Sequence, residues 1–91
     1  MATGSRTIVD VRDPQAYLES HIDGSLNMPS SSIAAKPYLK KQAVIVVGSG
    51  KYDEPLHKEC ATLRQQGFSG LKVLSGGIVA WMSAGQPVIG T

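Results

Sequence analysis

The chain has 91 residues and a mass of 9.6 kDa, which fits one domain around one hydrophobic core. A hydrophobic fraction of 42% and a charged fraction of 18% are typical of a globular chain and exclude a disordered charged tail. No apolar run reaches the roughly 20 residues of a membrane helix, and the N-terminus lacks a signal-peptide pattern. We therefore expect a cytoplasmic protein with a flexible lead-in over residues 1–6, one domain over residues 7–91 and no membrane contact.

The net charge is only +2, and the nine basic residues are scattered along the sequence. Scattered cations and few aromatic residues are not typical of a nucleic-acid surface, so we expect no nucleic-acid partner. The single cysteine, Cys60, can form neither an internal disulfide nor a metal site with a second cysteine. His57 has no ligand partner at a metal-binding spacing. We expect a monomer without a metal or a cofactor.

A strand and a helix are predicted at the start of the domain. Thr7–Val11 is rich in β-branched residues, which predicts a buried strand. Asp13 and Pro14 are typical of an N-cap and a first helical residue. The spacing then places Tyr17 and Leu18 on the apolar face of this helix.

Short elements follow. A turn at residues 22–25 precedes a short strand at residues 26–28. The three serines at residues 30–32 are typical of a helix N-cap and predict a short helix that carries Ile33. Pro37 limits the length of this helix.

The strongest strand signal is Ala43–Val47, which is apolar at every position, so we expect both of its faces to be covered. A helix over Glu54–Gln66 follows, with Asp53 as its capping side chain. Spacings of four and three residues predict one buried face on this helix, made by Leu56, Cys60 and Leu63. We expect that face to lie on Ile45, Val47 and Val73.

A further strand is predicted at Leu71–Leu74, and a last helix after two glycines, with Ile78, Trp81 and Met82 on its inner face. Strands that alternate with helices of 10–15 residues predict an α/β domain with a parallel sheet.

Two segments resemble the signatures of rhodanese-like domains. Ile8–Asp13 and His21–Pro29 are similar to the opening signature of that family. Gly67-Phe68, Gly76-Gly77-Ile78, Ala80-Trp81 and Pro87-Val88 are similar to its closing signature. The resemblance covers residues 7–88 and implies a three-layer sandwich around a central parallel sheet of four to five strands. The helix and edge strand that often precede the first signature have no match here.

The resemblance also implies where a catalytic residue would lie. Active rhodaneses carry sulfane sulfur as a persulfide on a cysteine directly after the central strand, in a loop that leads into a helix. Loop amides and a helix N-terminus lower the pKa of such a thiol. In this chain Gly48 occupies the position, in a loop two or three residues longer than usual. A cysteine placed at Gly48 would be expected to have a lowered pKa, whereas Cys60, on a buried helix face, is expected to be inert.

The loop after the central strand is a candidate anion-binding site, because its amides can form a concavity at a helix N-terminus. Its residues are Gly48, Ser49, Gly50, Lys51 and Tyr52. A solvated turn is the alternative interpretation. Because Asp53 and Glu54 oppose the charge of Lys51, we expect only weak, roughly millimolar binding of sulfate, phosphate or thiosulfate.

The resemblance further implies that Asp10 and Arg12 brace this loop and that His21 is structural. The function predicted is a rhodanese-homology domain without the catalytic cysteine, a regulatory or binding module for a protein partner or an adjoining domain, with a vestigial anion pocket. The alternative is a sulfurtransferase that uses Cys60 or a partner's thiol.

Overall fold

The computed structural model describes residues 6–90, in which strands and helices alternate as the sequence predicts. The strands are β1 (Arg6–Asp10), β2 (Leu26–Asn27), β3 (Ala43–Val47) and β4 (Leu71–Val73). The α-helices are α1 (Pro14–Glu19), α2 (Ser31–Ala34), α3 (Glu54–Gln65) and α4 (Gly77–Ser83), and a 3₁₀ helix spans Pro37–Lys41. Most of the predicted lead-in lies outside the described residues, and β1 begins at Arg6. Within residues 6–90 no helix is long and apolar enough to cross a membrane.

The four strands form one parallel sheet in the order β2-β1-β3-β4. Val46 of β3 pairs with Val9 of β1 on one side and with Val73 of β4 on the other. The strand with the strongest sequence signal is therefore an interior strand of the sheet. Asp10 and Val47, the last residues of β1 and β3, are also paired in register. The loops that follow these two strands therefore begin side by side.

The larger part of the core lies between the sheet and the helices on the face that carries α3. Its buried residues are Val9, Ile33, Leu39, Val44, Val46, Cys60, Leu63, Phe68 and Leu71. Alternate strand residues point to opposite faces of a sheet. The expectation that Ile45 and Val47 lie beneath α3 is therefore wrong. From β3 the first cluster contains Val44 and Val46, and Val47 belongs to a second cluster with Ile22 and Ile78. Val73 and Leu56 do pack against the first cluster, as partly buried residues.

Two predicted inner-face residues are exposed instead. Leu18 of α1 is 57% exposed and Met82 of α4 is 42% exposed. In each helix the preceding residue, Tyr17 or Trp81, faces the protein, and the next side chain is rotated by about 100° around the axis. Ala43 is also exposed, because β3 begins there at the amino edge of the sheet.

The start of α1 confirms the predicted cap, since Oδ1 of Asp13 accepts from the backbone N–H of Ala16 at 3.0 Å.

His21 follows the end of α1, and its ring stacks on that of Tyr17 with 3.9 Å between ring centroids. The His21 backbone also exchanges two hydrogen bonds of 2.8 Å with Ile89. His21 thus connects α1 to the C-terminal segment, which is a structural role.

Candidate functional site

The candidate site lies at the carboxyl edge of the sheet, between β1 and β3. The backbone N–H of Val11 donates to the carbonyl of Val47 at 3.1 Å, so the two strands stay in contact to their ends. From there β1 leads toward β2 and β3 leads toward β4. Parallel sheets place ligands in the crevice where neighbouring connections diverge in this way. The tertiary structure therefore brings Asp10 and Arg12 to the same edge as the loop over residues 48–52.

Asp10 and Arg12 form a buried ion pair in the turn after β1. The Asp10 side chain is only 1% exposed, and its Oδ2 lies 2.7 Å from Nη2 of Arg12. Nε of Arg12 donates to Oδ1 at 3.0 Å, and Nη2 also donates to the carbonyl of Ser20 at 2.6 Å. The contacts described for this pair thus connect the end of β1 to the end of α1. Bracing of the loop after β3 by this pair remains a prediction.

Asn27 completes this turn, a role that the sequence alone does not predict. Its Nδ2 donates to the carbonyls of Asp10 and Arg12 at 3.0 and 2.9 Å. The edge strand β2 is thereby fastened to the turn after β1. The only sequence signal was an amide side chain within a short strand whose neighbours, Leu26 and Met28, are apolar.

The loop after β3 is seated on the start of α4. The carbonyl of Gly48 accepts from the N–H of Ile78 at 2.9 Å. A Cβ on Gly50, whose φ is +95°, would lie 2.2 Å from the carbonyl oxygen of Gly76. A Cβ on Gly77 would lie 2.4 Å from the nitrogen of Gly50. This close backbone approach requires glycine on both sides of the contact.

Asp53 stands at the N-cap of α3, but its side chain makes no capping hydrogen bond, so the predicted cap is wrong in that respect. Its backbone has φ −86° and ψ 4° rather than the extended conformation usual for a capping residue. The carboxylate turns back into the loop instead. Oδ2 accepts from the N–H of Gly50 at 2.9 Å, and Oδ1 lies 3.4 Å from the Ser49 hydroxyl.

The same carboxylate fills the space in front of Gly48. A Cβ at Gly48 would lie 2.8 Å from Oδ2 of Asp53, 2.9 Å from Oδ1 and 2.8 Å from Cδ2 of Leu56. Real Cβ atoms do not approach other heavy atoms so closely. The place of the side chain that the family resemblance associates with catalysis is therefore occupied by a carboxylate and a leucine methyl.

The remaining loop side chains face solvent. Lys51 is exposed, and Tyr52 is 95% exposed with a φ of +59°, the left-handed region that is rare for an aromatic residue. The loop therefore directs the Gly50 amide toward Asp53, and it exposes the cation and the ring to solvent. Anion binding by this loop remains a prediction.

Cys60 is not brought to this site. Its side chain is 0% exposed, within the core cluster that includes Val44 and Val46. Burial raises the pKa of the Cys60 thiol, while the charge of Arg64 acts in the opposite direction and that of Glu59 raises it further. A thiol that is both covered and hard to ionise is a poor nucleophile.

Two further features concern ligand binding. An open groove of about 540 Å³ lies at the carboxyl ends of β1 and β2, lined by residues 11–14 and 27–29. Within the part of the chain that the structure describes, no group of three His, Cys, Asp or Glu side chains is arranged to hold a metal ion.

Comparison with known proteins identifies the family. The family model of the rhodanese-like domain matches residues 1–84. The thiosulfate sulfurtransferase GlpE of Pseudomonas aeruginosa is 35% identical over 79 residues, which are 84% of this chain and 69% of that relative.

Solved structures agree with this match. The Alr3790 protein of Anabaena sp. has a TM-score of 0.79 and 32% identity, covering 97% of this chain and 71% of that one. The BH2092 protein of Bacillus halodurans has a TM-score of 0.78 and 32% identity, covering 98% of this chain and 66% of that one. The matching family model, the identity to GlpE and the shared four-stranded parallel architecture lead to one conclusion: the chain belongs to the rhodanese-like domain family.

Proposed function

We propose that this rhodanese-like domain is non-catalytic and acts as a regulatory or binding module. The observation that carries the proposal is Gly48, which stands directly after β3 with the Asp53 carboxylate filling the space in front of it. Sulfur transfer through a persulfide needs a thiolate nucleophile. Neither the hydroxyl of Ser49, the next residue in the loop, nor the carboxylate of Asp53 can form a persulfide.

The carboxyl edge of the sheet is the surface that we propose for a protein partner or an adjoining domain. Tyr52 projects from it almost fully into solvent, and Lys51 is exposed beside it. Exposed tyrosines are enriched among the residues that dominate protein interfaces. Weak binding of a small anion by the loop amides belongs to the same proposal. A reducing cytoplasm suits a chain with one unpaired cysteine.

The test is formation of thiocyanate from thiosulfate and cyanide, with GlpE of Pseudomonas aeruginosa measured in parallel. We expect the rate to equal the protein-free background. Intact mass after incubation with thiosulfate should also show no added sulfur atom. Thiocyanate formation above background that is lost in Cys60→Ala would contradict the proposal.

The alternative function, a sulfurtransferase that uses Cys60 or a partner's thiol, requires a different result. Because Cys60 is buried in the core, its thiol reacts only when α3 separates from the sheet. We expect a thiol reagent to label Cys60 slowly in the native protein and rapidly in denaturant. Rapid labelling of the native protein would favour the alternative.

A further inference from the structure

The loop after β3 already holds an anion, which is the protein's own Asp53 carboxylate. Oδ2 accepts the Gly50 N–H at 2.9 Å, and both oxygens lie within 3 Å of the place where a Cβ at Gly48 would be. An external sulfate or phosphate bound by this loop would need the same amide and the same space.

The Asp53 charge is not neutralised by a neighbouring cation. Within residues 6–90 the ion pair recorded at up to 4 Å is that of Arg12 and Asp10. Lys51, two residues before Asp53, is exposed, and its backbone N–H donates to the Ser49 hydroxyl. The half-buried carboxylate is therefore held by the Gly50 amide, which an incoming oxyanion would also need as a donor. The Ser49 hydroxyl lies closer to the Lys51 carbonyl, at 2.8 Å, than to Oδ1 of Asp53, at 3.4 Å.

We propose that Asp53 is an internal ligand of the loop, an autoinhibitory carboxylate that excludes free oxyanions until it is displaced. The inference rests on the proposed binding function and specifies how that site is regulated. Two effects act together. The Gly50 N–H is already donated to Oδ2, and an incoming anion experiences repulsion from the adjacent negative charge.

The chain offers a matched control. Glu54 follows Asp53 at the start of α3, is exposed, and carries the same charge. Asp53→Ala and Glu54→Ala change the net charge equally and both leave the α3 macrodipole in place. Only Asp53→Ala removes the hydrogen bond to Gly50 and the carboxylate before Gly48, where the Leu56 methyl remains. A difference in anion affinity between the two variants therefore measures the effect of the Asp53 contact with Gly50 and not that of the net charge.

The experiment is a titration with inorganic sulfate, followed by backbone amide shifts in NMR spectra at constant ionic strength. We expect saturable shifts of the Ser49 and Gly50 amides in Asp53→Ala, with an affinity at least about tenfold higher than in the wild type. Glu54→Ala should stay within about twofold of the wild type. Asp53→Asn, which keeps an acceptor oxygen but loses the charge, should lie between the wild type and Asp53→Ala.

Equal affinities in Asp53→Ala and Glu54→Ala, or no saturable shift in either Asp53 variant, would overturn the inference. Asp53→Asn changes only the charged atom and so provides a folded variant if Asp53→Ala is unstable. The thiocyanate assay is independent of this titration. If the titration contradicts the inference but the thiocyanate rate equals the background, the proposal of a non-catalytic domain still stands. Thiocyanate formation by the wild type would contradict that proposal.

Discussion

The turn after β1 and the loop after β3 begin side by side, yet their aspartates are stabilised in different ways. Asp10 is almost fully buried and paired with the Arg12 guanidinium, which also holds the Ser20 carbonyl. Asp53 is half-buried and accepts from the Gly50 amide, with the Ser49 hydroxyl nearby. The first carboxylate has a charged partner, and the second has a neutral donor, the Gly50 amide.

This difference separates a structural carboxylate from an exchangeable one. Loss of one member of a buried ion pair leaves an uncompensated charge inside the protein, so the Asp10 contact is hard to change. A carboxylate held by a neutral donor at a partly exposed loop can be replaced by another acceptor at smaller cost. We therefore expect substitutions on the β1 side to affect folding and substitutions on the β3 side to affect the chemistry of the loop.

The largest expected effect is that of Arg12→Ala. Removal of the guanidinium leaves the Asp10 carboxylate buried without its charged partner, which should lower the free energy of unfolding by about 3–5 kcal/mol in urea denaturation. Arg64→Ala is the control, because Arg64 is exposed and donates one hydrogen bond to the carbonyl of Leu71. Equal losses in the two variants would show that the Asp10 pair has no special weight.

Asn27→Ala should have the next largest effect. The carbonyl of Arg12 loses the donor described for it, and the carbonyl of Asp10 keeps only the Met28 N–H, so we expect a loss of about 1–3 kcal/mol in the same denaturation experiment. Asn27→Asp should cost more than Asn27→Ala, since its carboxylate would face the two carbonyl oxygens. A smaller loss for Asn27→Asp would mean that these hydrogen bonds contribute little to the turn.

On the β3 side, Gly48→Cys tests the effect of Asp53 on a thiol. The sequence alone predicts a lowered thiol pKa, but the Asp53 carboxylate lies within 3 Å of the place that the new Cβ would take. It must shift to admit the side chain, and we expect it to remain beside the thiol. A nearby negative charge raises the pKa of a thiol. We now expect a pKa at or above about 8.5 in Gly48→Cys, and a value lower by about one unit or more in Gly48→Cys/Asp53→Ala.

The pH dependence of the thiolate absorbance measures both pKa values, and Gly48→Cys/Glu54→Ala is the matched control. All three variants carry Cys60→Ala, so that one thiol is observed. Equal pKa values in the Asp53 and Glu54 variants would show that the carboxylate does not lie beside the new thiol.

The smallest expected effect is that of Tyr52→Asn. Tyr52 holds a φ of +59° with its ring almost fully exposed, so the ring adds little packing in the free domain. Asparagine adopts the left-handed region more readily, and we expect a gain of up to about 1 kcal/mol in the free energy of unfolding. Tyr38→Asn, an exposed tyrosine outside the positive-φ region, is the control and should give no gain. A loss in Tyr52→Asn would indicate that the ring packs against the domain.

The sequence by itself determined the order and type of the main elements. Ala43–Val47 is a strand in the interior of the sheet, and Asp13-Pro14 starts α1, because β-branched runs and helix caps act over a few residues. The family signatures and the absence of a cysteine directly after β3 could likewise be read from short segments of the sequence. The burial of Cys60 followed from helical periodicity.

The tertiary structure decided which face and which neighbour each side chain received. Val47 packs away from α3 because the register of β3 with β1 decides which alternate residues face α3. No local sequence pattern specifies that register. Asn27 reaches Asp10 and Arg12 only because β2 lies at the edge beside β1. Asp53 has the sequence position of a cap, but the packing of Gly50 on Gly76-Gly77 sets the loop path that brings the Gly50 amide to its carboxylate. Contacts between residues distant in sequence depend on how the whole chain packs, and for that reason the carboxylate inside the loop emerged only from the folded structure.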